Sequence, residues 1–189
     1  MIRQICTLII KLSGWKMINR IPDNLRSFVL IGAPHTSNYD FVPAMALSYL
    51  LKRNTKFVIK NEWTKFPLNL ILGPAGAIGL DREKIKKQHM STTDSMANLF
   101  NQYSELVLMI SPEGTRKPVE HWKTGFYYIA QKAKVPLVLA SADYRLKELV
   151  VDKVIYPNDF NQDMKIIMDF YRNIQGKIPE NFKLDSDFA

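Results

Sequence analysis

A single cysteine, Cys6, stands in a chain of 189 residues, which excludes an intramolecular disulfide and agrees with a reducing compartment. No run of about 18 apolar residues occurs, the length that a helix needs to cross a membrane, so no transmembrane helix is expected within the sequence. The longest uncharged stretch, residues 66–80, carries Pro67, Gly73, Pro74, Gly76 and Gly79 and reads as broken structure inside a protein. Covalent catalysis has no obvious starting point, because no Gly-x-Ser-x-Gly elbow is present and Cys6 lies in an apolar segment. Only His35, His89 and His121 could offer imidazole to a metal. Their scattered positions match no ligand spacing, and no metal is expected.

What the chain does have is an ordinary globular composition, 47% hydrophobic and 23% charged, with a formal net charge of +8. Its length suits one domain with a substantial core, and its charge favours an acidic partner such as a lipid headgroup, a carrier protein or a phosphorylated substrate. Nucleic acid is not expected, since no cluster of aromatics is interleaved with the lysines. Along residues 2–13, Ile2, Ile5, Ile9 and Leu12 recur at helical spacing opposite Arg3, Thr7 and Lys11. Gly14 then breaks the pattern before Trp15. This terminus reads as a basic amphipathic foot for an anionic membrane surface, with Arg3, Lys11, Lys16 and Arg20 facing the headgroups. Packing into the core is the competing reading. Residues 1–20 are therefore set apart as an amphipathic N-terminal helical segment from a domain at 21–189, and their removal is expected to leave that domain folded.

Apolar runs predict buried strands at 27–32, 56–60, 77–80, 106–111, 135–141 and 149–155, with helices at 41–52, 85–103, 125–134 and 162–174 between or after them. The tail after Gly176 reads as a loosely packed end. The alternation predicts an α/β fold, a single layered domain with a mostly parallel central sheet flanked by helices. Ligands in such sheets sit beyond the strand ends.

Two motifs carry chemistry. His35-Thr36-Ser37-Asn38-Tyr39-Asp40 places an imidazole near a carboxylate, the pairing that a general base needs to fix its tautomer and stabilise its cation. With no protein nucleophile in sight, the attacking hydroxyl arrives with the substrate. Ser111-Pro112-Glu113-Gly114-Thr115-Arg116 supplies a glycine for close approach, a threonine hydroxyl and a guanidinium that can grip phosphate bidentately. Arg82 is a second phosphate candidate, and Lys123 can add charge. A surface ion pair is the alternative role for either arginine. Glu113 can hold Arg116 or bond a substrate hydroxyl, and Thr36, Ser37 and Asn38 are candidate oxyanion donors.

In this order and at this separation, the two motifs resemble those of the glycerolipid acyltransferase family, the lysophosphatidate and glycerol-phosphate acyltransferases. Gly76-Ala77-Ile78-Gly79-Leu80-Asp81-Arg82, preceded by Lys60-Asn61-Glu62-Trp63 and Pro67, is similar to a third block of that family. Val135-Pro136-Leu137-Val138-Leu139 departs from the fourth at Leu139, where the family usually has a second proline. The resemblance implies transfer of a fatty acyl group from acyl-CoA or acyl carrier protein, as co-substrate and without a cofactor, to a hydroxyl of a phosphorylated glycerol lipid such as 1-acyl-glycerol 3-phosphate. It implies His35 and Asp40 as catalytic residues and Arg82, Glu113, Gly114, Thr115, Arg116 and Lys123 as substrate-binding residues. With the basic foot, it implies an enzyme of phospholipid biosynthesis held peripherally at the cytoplasmic face of a membrane. The alternative is a non-catalytic module that binds anionic lipid on the same fold.

Overall fold

The computed structural model describes residues 1–87 and 89–189, and their side chains except those of Arg82, Lys84 and Lys86. In chain order the elements are α1 (Ile2–Leu12), β1 (Lys16–Asn19), β2 (Phe28–Gly32), α2 (Phe41–Leu50), β3 (Thr55–Lys60), α3 (Asn69–Ala75), β4 (Ala77–Leu80), α4 (Arg82–Lys87) and α5 (Thr92–Ala97). There follow β5 (Val107–Ile110), α6 (Gly125–Ala133), β6 (Leu137–Asp143), β7 (Glu148–Ile155) and α7 (Phe160–Tyr171). The strands form one sheet in the order β1-β7-β6-β2-β5-β3-β4. Every ladder is parallel except that between β6 and β7. The α/β fold with a mostly parallel sheet is thus as the sequence predicts.

β2 lies at the centre because it is apolar on both faces. Phe28 and Leu30 pack with Leu47 and Leu51 beside α2, while Val29 and Ile31 pack with Phe126, Met164 and Met168 of α6 and α7. The period of two sends alternate side chains into opposite layers. Tyr171 locks this centre from within, its buried hydroxyl donating to the carbonyls of Ile31 and Ala140 on neighbouring strands.

The sequence reading departs from the structure in several places. Residues 85–103 do not form one helix. Chain direction changes at His89, whose φ is +53°, and Ser91 starts α5 afresh by accepting from the Asp94 amide. α3 occupies part of the stretch read as broken, with Pro74 inside it. The tail beyond Gly176 is not loose: Phe182, Leu184 and Phe188 pack against the main core, and the buried Asp185 carboxylate accepts from the Trp122 amide at 2.7 Å.

The N-terminal 20 residues hold α1 and β1, and β1 is an edge strand in register with Glu148 to Val151 of β7. α1 lies across α2 with Arg3, Cys6, Thr7 and Ile10 on its inner side: the last three are buried, and the Arg3 guanidinium donates to the carbonyls of Thr55 and Ala75. Its apolar stripe faces outward, with Leu8 57% and Leu12 80% exposed beside exposed Ile5 and Ile9. Of the four cations expected at headgroups, Arg3 is thus turned into the protein, Lys16 pairs with Glu148 and Arg20 with Asp152. Lys11 remains exposed.

Candidate active site

His35 stands just beyond the end of β2, and the chain then turns tightly through a 3-10 turn at Asn38–Asp40 into α2. The turn is built by its own polar side chains. Ser37 accepts from the Tyr39 amide, and Asp40 Oδ2 accepts from the amides of Thr36 and Ser37 at 2.7 and 2.8 Å, the reciprocal pattern of a capping box. The fold-back brings Asp40 Oδ2 to 3.3 Å from His35 Nδ1. Asp40 is therefore at once the third-position carboxylate of the capping box and the partner of the imidazole.

Asp40 Oδ1 faces elsewhere, accepting the Tyr144 hydroxyl at 2.8 Å. Burial disfavours the carboxylate, but donation from His35, Tyr144, Ser37 and Thr36 outweighs it and holds the Asp40 carboxyl below the usual range. The same bond works in reverse on Tyr144, whose phenol is raised by burial and by donation to Asp40.

Glu113 enters from the loop after β5. Its Oε1 accepts the His35 amide at 2.8 Å, whereas Oε2 is buried with no partner among the described residues. Only 4% of Glu113 is exposed, and burial pushes its carboxyl up to about 7 against the smaller opposing pull of backbone donors and His35. Sequence reasoning paired Glu113 with Arg116 or a substrate hydroxyl. Its observed partner is instead the backbone of the general-base candidate.

The rest of that loop is closed by the Lys123 amide donating to the Pro112 carbonyl at 2.8 Å. Gly114 has a φ of +63°, and a Cβ there would come within 2.6 Å of Lys123 Nζ, so a side chain would meet both strain and a clash. Thr115 Oγ1 accepts from the Lys117 amide. Arg116 is exposed and has no ion-pair partner among the described residues. The structure thus brings His35, Asp40 and Glu113 into one hydrogen-bonded group, with Gly114, Thr115, Arg116 and Lys123 on the loop that carries Glu113. Arg82 begins α4 after the edge strand β4, and its side chain lies outside the described residues.

Sequence reasoning missed three contributors. Tyr144, outside both motifs, bonds Asp40. Pairing of β6 with β2 was the available signal, since parallel neighbours end side by side. Lys177 places its ammonium 5.2 Å from the Tyr39 ring and 5.6 Å from the Tyr144 ring. The tail also braces the turn: Thr36 Oγ1 accepts from the Ile178 amide, and a Cβ at Gly176 would lie 2.7 Å from the Thr36 methyl. No residue pattern marks these last contacts. His121 pairs with Asp187 and Asp185 of the tail. Asp185 already accepts from the amides of Trp122 and Asp187, so this group ties down the end of the chain.

Behind His35 and Asp40, a cavity of about 70 Å³ lies between α2 and the sheet, walled by Leu30, Pro43, Leu47, Met109, Ala140 and Leu149. A base, a fixed acid and a greasy chamber share one opening.

Comparison with solved structures finds the 1-acyl-sn-glycerophosphate (LPA) acyltransferase PlsC of Thermotoga maritima, at 16% identity and a TM-score of 0.61, over 90% of this chain and 75% of that one. At that identity the likeness speaks for the fold. Among curated sequences no significant match is found. A family model described as Acyltransferase matches residues 12–141, which is most of the chain and includes His35, Asp40, Glu113 and Arg116. On that match, the chain belongs to the acyltransferase family and is an acyltransferase.

Proposed function

We propose that this enzyme moves a fatty acyl group from an acyl thioester, of coenzyme A or acyl carrier protein, to a hydroxyl of a phosphorylated glycerol lipid such as 1-acyl-glycerol 3-phosphate. The observation that carries the reading is the His35 Nδ1 to Asp40 Oδ2 contact of 3.3 Å at the mouth of an apolar cavity. With Nδ1 turned to the carboxylate, the proton rests there and Nε2 is the basic nitrogen. Nε2 takes the proton of the acceptor hydroxyl as its oxygen attacks the thioester carbonyl. The tetrahedral intermediate collapses with breakage of the carbon–sulfur bond, and the proton passes to the departing thiolate. An ester and a free thiol result. Asp40 stabilises the imidazolium in between, and the apolar cavity beside the pair receives the start of the acyl chain.

Arg116 grips the acceptor phosphate, supported by its exposure on the loop that also fixes His35, with Lys123, Thr115 and Gly114 beside it and Arg82 as a further cation. Glu113 serves this site by holding the His35 backbone. The thioester brings its own activation, so the chemistry assigned to these residues needs no cofactor.

The enzyme works peripherally at the cytoplasmic face of a membrane, in phospholipid biosynthesis. Support for membrane seating comes from the outward stripe of α1 and the adjoining α3 region, where Trp63, Phe66, Leu68, Leu70 and Ile71 are all exposed. Contiguous exposed apolar surface marks an interaction site. No helix among the described residues is long and apolar enough to cross a membrane; the seating proposed is by these exposed side chains at the surface. Mass-spectrometric screening of acyl-CoA and acyl carrier protein donors against glycerol 3-phosphate and lysophospholipid acceptors tests the reading. An esterified, phosphate-bearing glycerol lipid is the expected product; esterification of acceptors lacking phosphate at equal rates would contradict it.

A further inference from the structure

We infer that Tyr144 is a positioning residue of the catalytic pair, acting on His35 through Asp40. The carboxylate of Asp40 is divided between two tasks. Oδ2 is shared by the amides of Thr36 and Ser37 and by His35 Nδ1. Oδ1 receives the Tyr144 hydroxyl at 2.8 Å. A carboxylate pinned by one oxygen alone can still pivot about that oxygen. The Tyr144 bond removes the pivot and so fixes the plane in which Oδ2 meets the imidazole, and it favours the ionised form that a base partner requires.

The placement of Tyr144 is itself secured. Its ring meets Trp15 edge to face with centroids 4.9 Å apart, and its amide donates to the Gln175 carbonyl at 2.9 Å. Lys177 lies over the ring face, which sets a cation beside the phenol. Trp15 belongs to the connection between α1 and β1, and Gln175 and Lys177 to the tail, so both ends of the chain hold the residue that holds Asp40. Asp40 is met by His35 of its own loop and Tyr144 after β6, with Glu113 after β5 near enough to feel its charge, while Tyr39 and Lys177 act on Tyr144.

The inference rests on His35 as the general base, and its test is chosen to stand apart from substrate choice. Tyr144→Phe keeps the ring and its contacts with Trp15 and Lys177 while deleting the hydroxyl. In the full-length protein with ¹³C-labelled aspartate, the carboxyl signal of Asp40 should titrate at higher pH in Tyr144→Phe than in the wild type, by about half a pH unit or more. The other aspartate signals and the melting temperature measured at neutral pH should change little. In the transfer assay, kcat should fall about tenfold with the acceptor KM held within about twofold, the mark of an interaction used in the transition state. An Asp40 titration unmoved by Tyr144→Phe overturns the inference, as does wild-type kcat in the variant. If the wild type turns over none of the acceptors, the substrate assignment fails, while the Asp40 titration still decides the role of Tyr144.

Discussion

Arg116 can serve the acceptor only through the geometry of its fork, because an exposed charge on a loop gains little from Coulomb attraction in water. Arg116→Lys keeps the charge and loses bidentate contact. The acceptor KM should rise by about tenfold, the worth of one strong hydrogen bond to a charged group, with the donor KM unchanged. Equal kinetic constants for the acceptor would remove Arg116 from the phosphate site. Glu113 invites a different measurement. Its folded-state carboxyl titrates near 7, above its ordinary 4.5, because burial disfavours the charge. Between those two values the folded protein keeps a proton that the unfolded chain has released, so stability falls as pH rises through this window and the loss is complete above it. Glu113→Gln retains the oxygen that accepts the His35 amide and removes the titration. Relative to wild type, the variant should melt at the same temperature near pH 4 and roughly 6–12 °C higher at pH 8, the equivalent of about 3 kcal/mol for a chain of this length. A difference that does not vary with pH would mean that Glu113 is not the buried acid described. The motif pattern alone located both residues, but it could not reveal that Glu113 is spent on a backbone amide, since such a contact depends on how two loops meet.

At the scale of elements, legibility followed the strength of the local pattern. The central strands and the helix after Asp40 stand within a few residues of their predicted positions, because β2, β5 and β6 are continuous apolar runs and Asp40 and Pro43 mark a helix start. β1 was invisible: Lys16 to Asn19 is short, half exposed and gains its strand character only from pairing with β7. α1 was found by its period, but which side faces inward could not be read. Arg3 reaches carbonyls of Thr55 and Ala75 that are distant in sequence, and those bonds reverse the usual orientation. Removal of residues 1–20, expected from the sequence to leave the domain folded, would strip an edge strand and uncover Met45 and Ala46, which pack with Cys6 and Ile10. The tail was misjudged for a similar reason. Phe182, Leu184 and Phe188 are spaced without helical or strand period, and their burial arises from Trp122 and neighbouring core residues. Deleting residues 177–189 should therefore lower the melting temperature by more than about 5 °C, as loss of several buried aromatic and aliphatic side chains requires, and should lower turnover by freeing the turn that Ile178 and Asn181 brace at Thr36. Unchanged melting of the shortened protein would show that the tail is dispensable.

At the scale of the whole molecule, the exterior holds a contradiction that water alone does not resolve: an amphipathic helix that turns Arg3 and Thr7 inward beside Cys6 and Ile10 while Leu8 and Leu12 stand bare. Because Arg3, Lys16 and Arg20 are engaged within the protein, attachment should come from apolar insertion more than from charge. Leu8→Asp with Leu12→Asp changes only exposed positions, so melting should hold while sedimentation with phosphatidylglycerol vesicles is lost. Retained sedimentation would place the contact elsewhere. The account as a whole turns on His35 acting as a base in acyl transfer, and it is tested most directly by thioester-dependent thiol release with a lysophosphatidate acceptor, compared between wild type and His35→Ala. The variant should melt as the wild type does and turn over more slowly by about two to four orders of magnitude, the usual contribution of a positioned general base. Near wild-type release from a folded His35→Ala protein would contradict the mechanism, and no release from the wild type with any thioester would leave a lipid-binding module in its place.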